Sequence, residues 1–519
     1  MSRPRVAWAA MANGGVRGMA RLHEYQGKEI LRGAGILTPN GRVARSVDEA
    51  RRAAETVGCP CVVKIQAWTT GRAALGGVAM VKTPDEAGEA ARRMLGMVVG
   101  NFPVREVLVE ERAPIAREFF VSYSIDDRAR APVLLLAASG GSGVEDRAAE
   151  VKRIACTVGS GPDEAGLTAA LESAGLDAGA KRAVAAAVRT LFDVAKSNEA
   201  RSLEINPLVT TADGRVMALD CRVTIDDAAV FRHPELGIDI ARELDHPPTD
   251  LERVAYRVEQ EDHRGTFFFA QMNTKAAEGS KGLVGFHGAG GGGSMMSMDA
   301  ITNAGFTIAN FTDTSGNPSA AKVYRAARVI LSQPGLCGYF GSGSGVASQE
   351  QFWSAYGLAK AFWEVELDIP TVIRLGGNTE DRAVEILHES AKGLSAPIEG
   401  YKKSDPPAKI AARFAELVSS RVWTPRRARR PGFVGREGAV SFPIKGGRLW
   451  VDAGRWKGSA AEIVARSSGL LRDDAGRPAL AVTAEELMGK DSELIACEVE
   501  CRNAGVEGVF VELEIPGLQ

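Results

Sequence analysis

The sequence predicts an α/β protein with more than one domain, and three observations support this class. Between residue 22 and about residue 245, short β-prone runs alternate with helical stretches. From about residue 265 onward, apolar runs that end in glycine alternate with amphipathic helices, which is typical of a doubly wound parallel sheet. At 519 residues the chain is long enough for two or three domains.

Composition and charge narrow the expected partners and compartment. A net charge of −2 produces no field that would favour nucleic acid or a membrane surface, so neither partner is expected. Seven cysteines, an odd number without framework spacing, indicate a reducing compartment. Residues 1–21 contain arginines but no acidic residue. A transit peptide is one interpretation of this segment, but a disordered leader and a cytoplasmic location are preferred.

The first module, residues 22–245, shows one well-marked helix and several strands. SVDEARRAAETVG predicts a helix, because a serine N-cap precedes apolar positions at helical spacing and a glycine ends the run. Strands are predicted for the β-prone runs CPCVVKIQA, REVLVEERA, REFFVSYSID and APVLLLAAS.

The stretch EINPLVTTADGRVMALD, residues 204–220, predicts a β-hairpin around an ADG turn. Glu204 and Asn206 share a face, and a three-residue loop would place Asp220 opposite Asn206, within about 5 Å. Three hard oxygen ligands would then converge, as Mg²⁺ bridging nucleotide phosphates requires. Taken alone, the pattern also fits a surface hairpin with ordinary polar residues.

A lysine and a glycine-rich loop form a second candidate for phosphate binding. Lys64 lies on a predicted strand with Gln66 on the same face, and GRAALGG follows at residues 71–77. Backbone N–H groups in such a loop can cradle phosphate oxygens, and the lysine adds a positive charge. Loops of this composition are common, but the order lysine strand, glycine loop, acidic strand LVEERA and EINP hairpin is more specific.

The second module, residues 262–420, has glycines at the ends of its predicted strands. GLVGFHGAGGGG is a strand that runs into a glycine-rich turn, and MMSMDAITNAG then predicts a helix. The further strands FTIANFTDTSG, LCGYFGSGSG and IPTVIRLGG alternate with helices such as AAKVYRAARVILSQ. Ligands of such sheets bind at the carboxyl ends of the strands, where these glycines lie. Residues 421–436 are predicted to be a solvated basic linker rather than a nucleic-acid patch.

These segments together resemble the beta subunit of succinyl-CoA synthetase. The resemblance covers residues 22 to about 420 and includes LHEYQGKEILRGAGILTPNGRVA, VVKIQ, LVEE, EINPLVTTADGRVMALD, VFRHPEL, HGAGGGGSMMSMDAI, ANFTDTSGNPS and VIRLGGNTED. It implies an ATP-grasp nucleotide-binding domain over residues 22–245 and a flavodoxin-like CoA-ligase domain over residues 262–420.

The resemblance also implies roles for individual residues. The ATP phosphates would be held by Lys64, Gly71, Arg72 and Ala73. The rest of the nucleotide would lie near Glu110, Ala113 and Glu118. Mg²⁺ would be bound by Asn206 and Asp220, with Glu204 as a supporting carboxylate. The carboxylate substrate would contact His287, Gly345, Val346 and Ala347.

Three segments depart from the family pattern, one beside the ATP phosphates and two beside the substrate. The loop that usually reads GRGKAGG has Ala73 and Ala74 in place of a glycine and a lysine, which removes one positive charge near the phosphates. His287 replaces an asparagine, and residues 344–350 read SGVASQE where the family reads GGIVRCD. Another carboxylic acid, such as a bulkier one fitted by this loop of small residues, is therefore expected in place of succinate.

In this family ATP phosphorylates a histidine, the carboxylate takes the phosphoryl group, and CoA displaces phosphate. The histidine and the CoA-binding domain belong to the alpha subunit, and neither is recognised here. His287 before GAGGGG is the only tempting nucleophile, but it aligns with the substrate-side asparagine. The expected protein is therefore the beta-type subunit of an ADP-forming acid–CoA ligase in a hetero-oligomer. ATP and Mg²⁺ are its cofactors, and CoA is bound mainly by the partner.

Two alternatives remain from the residues. A non-catalytic scaffold or regulatory subunit is suggested by Ala73 and Ala74, whereas Lys64, Asn206 and Asp220 argue against it. A carboxylate–amine ligase also has an ATP-grasp domain, but the glycine-rich second module argues against that class.

The C-terminal module, residues 437–519, resembles a two-cluster bacterial ferredoxin domain without its clusters. The spacing C-x₂-C-x₂-C-x₃-C, laid on two segments, selects Trp456, Ser459, Glu462, Arg466, Leu487, Lys490, Glu493 and Cys497. Cys497 with Cys501 cannot supply four thiolates, so no iron–sulfur cluster and a colourless protein are expected. Two hairpins and two helices would form a docking surface for a partner. An unrelated small α+β domain is the alternative.

Overall fold

The computed structural model describes residues 18–69, 71–141, 149–172, 174–242, 244–261, 267–343, 347–420, 429–452, 470–472, 478–480, 490–505 and 507–518. The chain divides into two compact units, one up to Pro248 and one from Thr249 onward. Within the described ranges, every helix is too short or too polar to cross a lipid bilayer.

The first unit contains two main sheets with helices packed against them. Its elements in chain order are β1 (Gly18–Met19), α1 (Glu24–Gly33), β2 (Gly41–Ala44), α2 (Val47–Val57), β3 (Cys61–Ile65), β4 (Val78–Val81), α3 (Pro84–Met94), β5 (Val98–Val99), β6 (Phe102–Pro103), β7 (Val107–Glu111), β8 (Ile115–Asp126), β9 (Ala131–Ala137), β10 (Lys152–Thr157), β11 (Gly161–Pro162), α4 (Glu164–Glu172), α5 (Ala178–Ser197), β12 (Ala200–Thr211), β13 (Val216–Ala218), β14 (Arg222–Ile225) and β15 (Ile238–Ile240). Two single-turn 3₁₀ helices, Val230–Arg232 and Pro234–Leu236, precede β15.

The smaller sheet has four antiparallel strands in the order β2-β7-β3-β4. Helices α2 and α3 pack against it and bury alanines on their inner faces. The serine cap predicted for α2 is confirmed, because the Ser46 side chain accepts a hydrogen bond from the Glu49 amide. This sheet carries Lys64 on β3 and Glu110 on β7.

The larger sheet has the order β11-β10-β9-β8-β12-β13, and β14 also pairs with β12. Leu208 faces Ala218 and Glu204 faces Arg222, so β13 and β14 continue one antiparallel register along β12. The loop between β12 and β13 is closed by a backbone hydrogen bond around residues 212–214. The predicted hairpin with a three-residue loop is therefore confirmed.

The second unit is built around one mostly parallel sheet. Its elements are α6 (Asp250–Glu261), β16 (Phe268–Gln271), β17 (Leu283–Ala289), α7 (Gly291–Asn303), β18 (Thr307–Ile308), β19 (Asn310–Asp313), α8 (Ala320–Leu331), β20 (Leu336–Gly343), β21 (Ala347–Glu350), α9 (Phe352–Glu364), β22 (Thr371–Arg374), β23 (Gly377–Asn378), α10 (Glu380–Ala391), β24 (Ile398–Tyr401), α11 (Pro407–Ser419), β25 (Ala439–Ile444), β26 (Gly447–Asp452), β27 (Leu470–Arg472), β28 (Pro478–Leu480), α12 (Asp491–Asn503) and β29 (Val509–Leu513).

The strand order of this sheet is β16-β19-β17-β20-β22-β24, and all pairs along it are parallel except β16 with β19. The parallel strands thus follow the flavodoxin-like order 2-1-3-4-5, as predicted. Apolar residues of α7 and α11 cover one face, with Phe414 at the centre, and those of α8 and α9 cover the other. The order in which successive strands are added reverses between β17 and β20. Folds of this class bind their ligands at such a point.

The described elements of residues 437–519 pack with the rest of the second unit. β25, β26 and β29 form an antiparallel sheet, and β27 pairs with β28, so both predicted hairpins are present. Helix α12 buries Leu494 and Val499 in the same core as Tyr324 and Ala355. These contacts join the described part of the C-terminal module to α8 and α9. The domain boundaries stay a prediction.

Most of the positions compared with ferredoxin cysteines lie outside the described residues. Lys490 precedes α12, Glu493 lies in its first turn, and Cys497 is fully buried. Trp456, Ser459, Glu462, Arg466 and Leu487 are not among the described residues.

Candidate functional site

The hairpin brings Asn206 and Asp220 opposite each other. The Leu219 amide donates to the Pro207 carbonyl over 3.0 Å, and the register on both sides of this bond is the same, so Asn206 and Asp220 are the next facing pair. Facing side chains on paired strands have Cβ atoms about 4.5–5.5 Å apart. Glu204 lies two residues before Asn206 on the same strand and is partly exposed.

Lys64 is enclosed by carboxylates of the same unit. Its Nζ lies 3.0 Å from Glu24 Oε1 and 2.5 Å from Glu110 Oε1, and it donates to the Leu219 carbonyl over 2.7 Å. Lys28 binds the same two glutamates at 2.7 and 2.6 Å. Two lysines therefore share two buried glutamates, and the Glu110 side chain is a counterion of Lys64.

Electrostatics keeps Lys64 and Glu24 charged in spite of their burial. Burial alone would lower the pKa of the Lys64 ammonium, but Glu110, Glu24 and Asp220 raise it above its ordinary value. Burial likewise opposes ionisation of Glu24, yet Lys28 and two further cations hold its pKa well below the usual range. Both groups are thus ionised at neutral pH.

The glycine-rich loop is joined to this network through Arg72. Its Nη1 lies 2.7 Å from Glu24 Oε2, and its Nη2 forms an ion pair with Asp220. Arg72 also donates to the Ile65 carbonyl over 3.2 Å. One arginine of the loop therefore links α1, β3 and the end of the hairpin.

The backbone of the loop is largely bonded to itself. Amides of residues 74–77 donate to carbonyls of residues 71–73, so these four amides are not free to cradle a phosphate. Gly71 has φ of +63°, a conformation that glycine adopts without strain. Ala73 and Ala74 are exposed, with no charged group of their own to offer a nucleotide.

Glu118, Gly141 and Asn206 come together at a second point on the larger sheet. The Gly141 amide donates to Asn206 Oδ1 over 2.7 Å. A Cβ atom at Gly141 would lie 2.8 Å from Glu118 Oε2, so the carboxylate is packed directly against this glycine. Ala113 follows β7 and is half-buried.

Asp220 and Asn206 fit a magnesium ion by the chemistry of their donors. Asp220 Oδ1 is buried and has no hydrogen-bond partner, although buried carboxylate oxygens are normally satisfied. Two hard oxygen donors suit Mg²⁺, which usually takes one or two protein ligands and fills its other positions with phosphates and water. Among the described residues, no three His, Cys, Asp or Glu side chains form a metal-binding group, so an all-protein site is not indicated there.

His287 lies on β17 in the second unit and is buried. Its Nδ1 is 2.5 Å from Tyr339 Oη, and its Nε2 is 3.3 Å from Thr314 Oγ1. Burial lowers the pKa of the imidazole to about 4, so the ring is neutral at pH 7. The adjoining cavity has a volume of about 30 Å³, far below the roughly 300–1,000 Å³ of small-molecule sites.

The other expected substrate contacts are only partly described. Ala347 opens β21, which pairs in parallel with β23 at Gly377. Gly345 and Val346 lie outside the described residues.

Sequence reasoning did not single out two members of the first site. Glu24 is 5 % exposed yet contacts Lys28, Lys64 and Arg72, and Lys28 is 2 % exposed. Glu24 and Lys28 form an i,i+4 pair on helix α1, and this spacing of opposite charges is the sequence signal that could have pointed to them. Their burial between two sheets depends on contacts far apart in the chain.

The strand lysine, the glycine-rich loop and the hairpin on two facing sheets define an ATP-grasp protein. A family model described as "ATP-grasp domain" matches residues 21–210. The chain is 33% identical to the beta subunit of succinate–CoA ligase [GDP-forming] of Thermus thermophilus, over 73% of this chain and 99% of that one. It is 34% identical to subunit beta 2 of succinate–CoA ligase [ADP-forming] of Streptomyces coelicolor, over 77% and 98%.

Solved structures agree at the level of the fold. ATP citrate lyase of Methanothrix soehngenii superposes with a TM-score of 0.63 at 19% identity, covering 76% of this chain and 99% of that chain. The chain belongs to the family of succinate–CoA ligase beta subunits.

Proposed function

We propose that this chain is the nucleotide-binding subunit of an ADP-forming carboxylic acid–CoA ligase. The main support is the convergence of Lys64, Arg72 and Asp220 in one buried network beside the glycine-rich loop. The phosphates of ATP would replace Asp220 as a partner of Arg72 and would lie beside the Lys64 ammonium, while both cations keep their glutamate partners. Because both cations are already desolvated and held in place, little side-chain entropy would be lost on binding.

Arg72 is the residue that must change partners. Its Nη2 leaves Asp220 for a phosphate oxygen, while its Nη1 remains bound to Glu24. Mg²⁺ at Asp220 and Asn206 would neutralise part of the charge on the transferred phosphoryl group. Lys64, held between Glu24 and Glu110, would orient the phosphates as a fixed point charge.

The phosphoryl acceptor is assigned to a histidine on an alpha-type partner subunit that also binds CoA. His287 is hydrogen-bonded at both ring nitrogens and buried, which opposes a role as acceptor. The substrate is a carboxylic acid other than succinate, because residues 344–350 lack the Arg–Cys–Asp of the family pattern. The hetero-oligomer is expected to act in the cytoplasm.

A scaffold subunit is the second candidate, and the loop is the observation that favours it. Four of its amides are bonded internally, and Ala73 and Ala74 offer no charge. A scaffold would keep the ion network for stability and bind no nucleotide.

Calorimetric titration separates these two functions. Mg-ATP and Mg-GTP are titrated separately into three proteins: the wild type, the Lys64→Met variant and the Lys392→Met variant. Lys392→Met is the control, because Lys392 is an exposed lysine paired with Glu389. The ligase proposal expects saturable binding that Lys64→Met weakens by at least about tenfold and Lys392→Met leaves unchanged. Absence of binding by either nucleotide would favour the scaffold.

A further inference from the structure

Two cysteines flank a proline at the point where helix α2 is followed by strand β3. Cys59 lies in the short connection after α2, and Cys61 is the first residue of β3. Their Sγ atoms are 3.8 Å apart, so the two side chains are in direct contact. All seven cysteines of the chain are free thiols. The first unit therefore carries a dithiol outside the ion network around Lys64.

The two thiols differ in their exposure. Cys59 is exposed, whereas Cys61 is completely buried in the core that the small sheet forms with α2 and α3. The remaining cysteines of the chain are buried as well. A thiol-reactive molecule in solution therefore meets Cys59 first, and Cys61 is shielded from it.

Cys61 is anchored more firmly than Cys59. It pairs with Val81 of β4 on one side and with Glu111 of β7 on the other, so its backbone is held within the sheet. Cys59 belongs to the exposed connection of residues 58–60, which lies outside the strands. A disulfide bond is about 2.05 Å long, so the two Sγ atoms would have to approach by about 1.8 Å. Rotation of the Cys59 side chain with a small displacement of this connection supplies such a shift.

We propose that Cys59 and Cys61 form a reversible dithiol–disulfide site that reacts with low-molecular-weight disulfides of the glutathione class. The Cys59 thiolate attacks one sulfur of the reagent, whose S–S bond breaks and releases one thiolate. The Cys61 thiolate then attacks the Sγ of Cys59 and displaces the second thiolate of the reagent. Two electrons pass from the protein to the reagent, and the two thiol protons reach the released thiolates through solvent.

The surroundings of Cys61 account for the order of these steps. Burial raises the pKa of the Cys61 thiol to about 12, and the neighbouring Cys59 adds to this effect. Cys61 is thus protonated at neutral pH and does not start the reaction. In the mixed disulfide Cys59 carries no charge, so its opposition to the ionisation of Cys61 is removed. The reaction goes beyond the proposed ligase function and requires neither nucleotide nor partner subunit.

The test treats the full-length chain with oxidised glutathione and measures its intact mass and the thiols that can be alkylated after unfolding. The wild type should lose two of its seven thiols and retain no glutathione. Peptide mapping after trypsin should place this loss within residues 53–64, and dithiothreitol should restore both thiols. Cys61→Ala should instead retain one glutathione at Cys59, because no second thiol displaces it. Cys59→Ser should keep all of its remaining thiols.

Cys156→Ala is the matched control, since Cys156 is another buried cysteine of the first unit. This variant should form the disulfide between Cys59 and Cys61 as the wild type does. A wild-type protein that retains glutathione, or that keeps all its thiols in excess reagent, would overturn the proposal. A disulfide that still forms in Cys59→Ser would also contradict it. The wild-type mass and peptide map decide the question without the variant at the buried Cys61, should that variant fail to fold.

Discussion

At the residue scale, the two carboxylate oxygens of Asp220 have different surroundings. One carboxylate oxygen pairs with Arg72, and the other is buried without a hydrogen-bond partner. A buried oxygen left in this way costs free energy of roughly 1–3 kcal/mol. This unpaired oxygen belongs to a residue that faces Asn206, and both residues are predicted to be magnesium ligands.

Replacing Asp220 by asparagine removes the charge and keeps the size of the side chain. We expect Mg-ATP affinity to fall by at least about tenfold, while the melting temperature changes by only a few degrees because Arg72 keeps Glu24. Calorimetry and thermal unfolding measure the two effects. Asp213→Asn is the control, since Asp213 lies exposed in the turn of the same hairpin. Retained affinity in Asp220→Asn would contradict the metal assignment.

His287 should make the stability of the second unit depend on pH. The unfolded chain protonates this imidazole near pH 6.5, whereas the folded one stays neutral until about pH 4. As the pH falls below 6.5 the unfolded state binds the proton first, so stability is lost on acidification and is fully present above pH 6.5.

When the pH is lowered from 7 to 5, the free energy of unfolding should decrease in the wild type by about 2 kcal/mol more than it does in the His287→Gln variant. Urea titrations at both pH values give the comparison. Equal pH dependence in wild type and His287→Gln would show that His287 is not held neutral.

At the scale of elements, helix α12 is tied to α9 by a buried ion network. Lys360 is fully buried, and its Nζ lies 2.5 Å from Glu364 Oε1 and 2.7 Å from Glu498 Oε2. Glu498 also accepts the Val511 amide over 2.8 Å, which links α12 to β29. The last segment of the chain therefore supplies a counterion that the preceding helices require.

Glu498→Ala should lower the free energy of unfolding by about 3 kcal/mol. The substitution leaves Lys360 with one carboxylate partner and removes the hydrogen-bond acceptor of the Val511 amide. Glu389→Ala is the control, since it removes an exposed partner of Lys392 and should change stability by less than about 0.5 kcal/mol. Chemical denaturation of both variants measures the difference. Similar effects of the two substitutions would indicate that α12 is only loosely attached.

This contact also bears on removal of the C-terminal segment. Deletion of residues 437–519 would expose the α8–α9 face and leave Lys360 without Glu498, so loss of folding in the second unit should accompany any loss of assembly. Point variants on the outer surface of this segment are the better test of the predicted docking role.

At the scale of the whole molecule, the two units would carry different parts of the proposed ligase. The first unit holds the residues proposed to bind the nucleotide, and the second has a flavodoxin-like sheet. The proposed phosphoryl acceptor belongs to the partner subunit, so turnover is expected to require that subunit.

The isolated chain should form no acyl-CoA, and label from γ-labelled ATP should appear on a co-purified partner. Autoradiography after electrophoresis, with the chain alone and with its partner, checks both statements. Label on this chain that His287→Gln removes would reverse the assignment of the phosphoryl acceptor.

The sequence by itself determined the elements whose signals are local. The Ser46 cap, the three-residue hairpin loop and the alternation of strands and helices in the second unit all depend on residues within one turn or one strand. The facing of Asn206 and Asp220 also followed from counting residues across a short loop, because strand register is fixed once the turn is known.

Only the tertiary structure decided which charges meet. Glu24, Lys64, Arg72 and Asp220 come from α1, β3, a loop and the end of a hairpin, and no spacing in the sequence brings them together. The same holds for Lys360 with Glu498, which come from α9 and α12. Local sequence patterns predict the conformation of the backbone. Ion pairs and cavities depend instead on how distant elements pack, and the burial of apolar faces along the whole chain determines that packing.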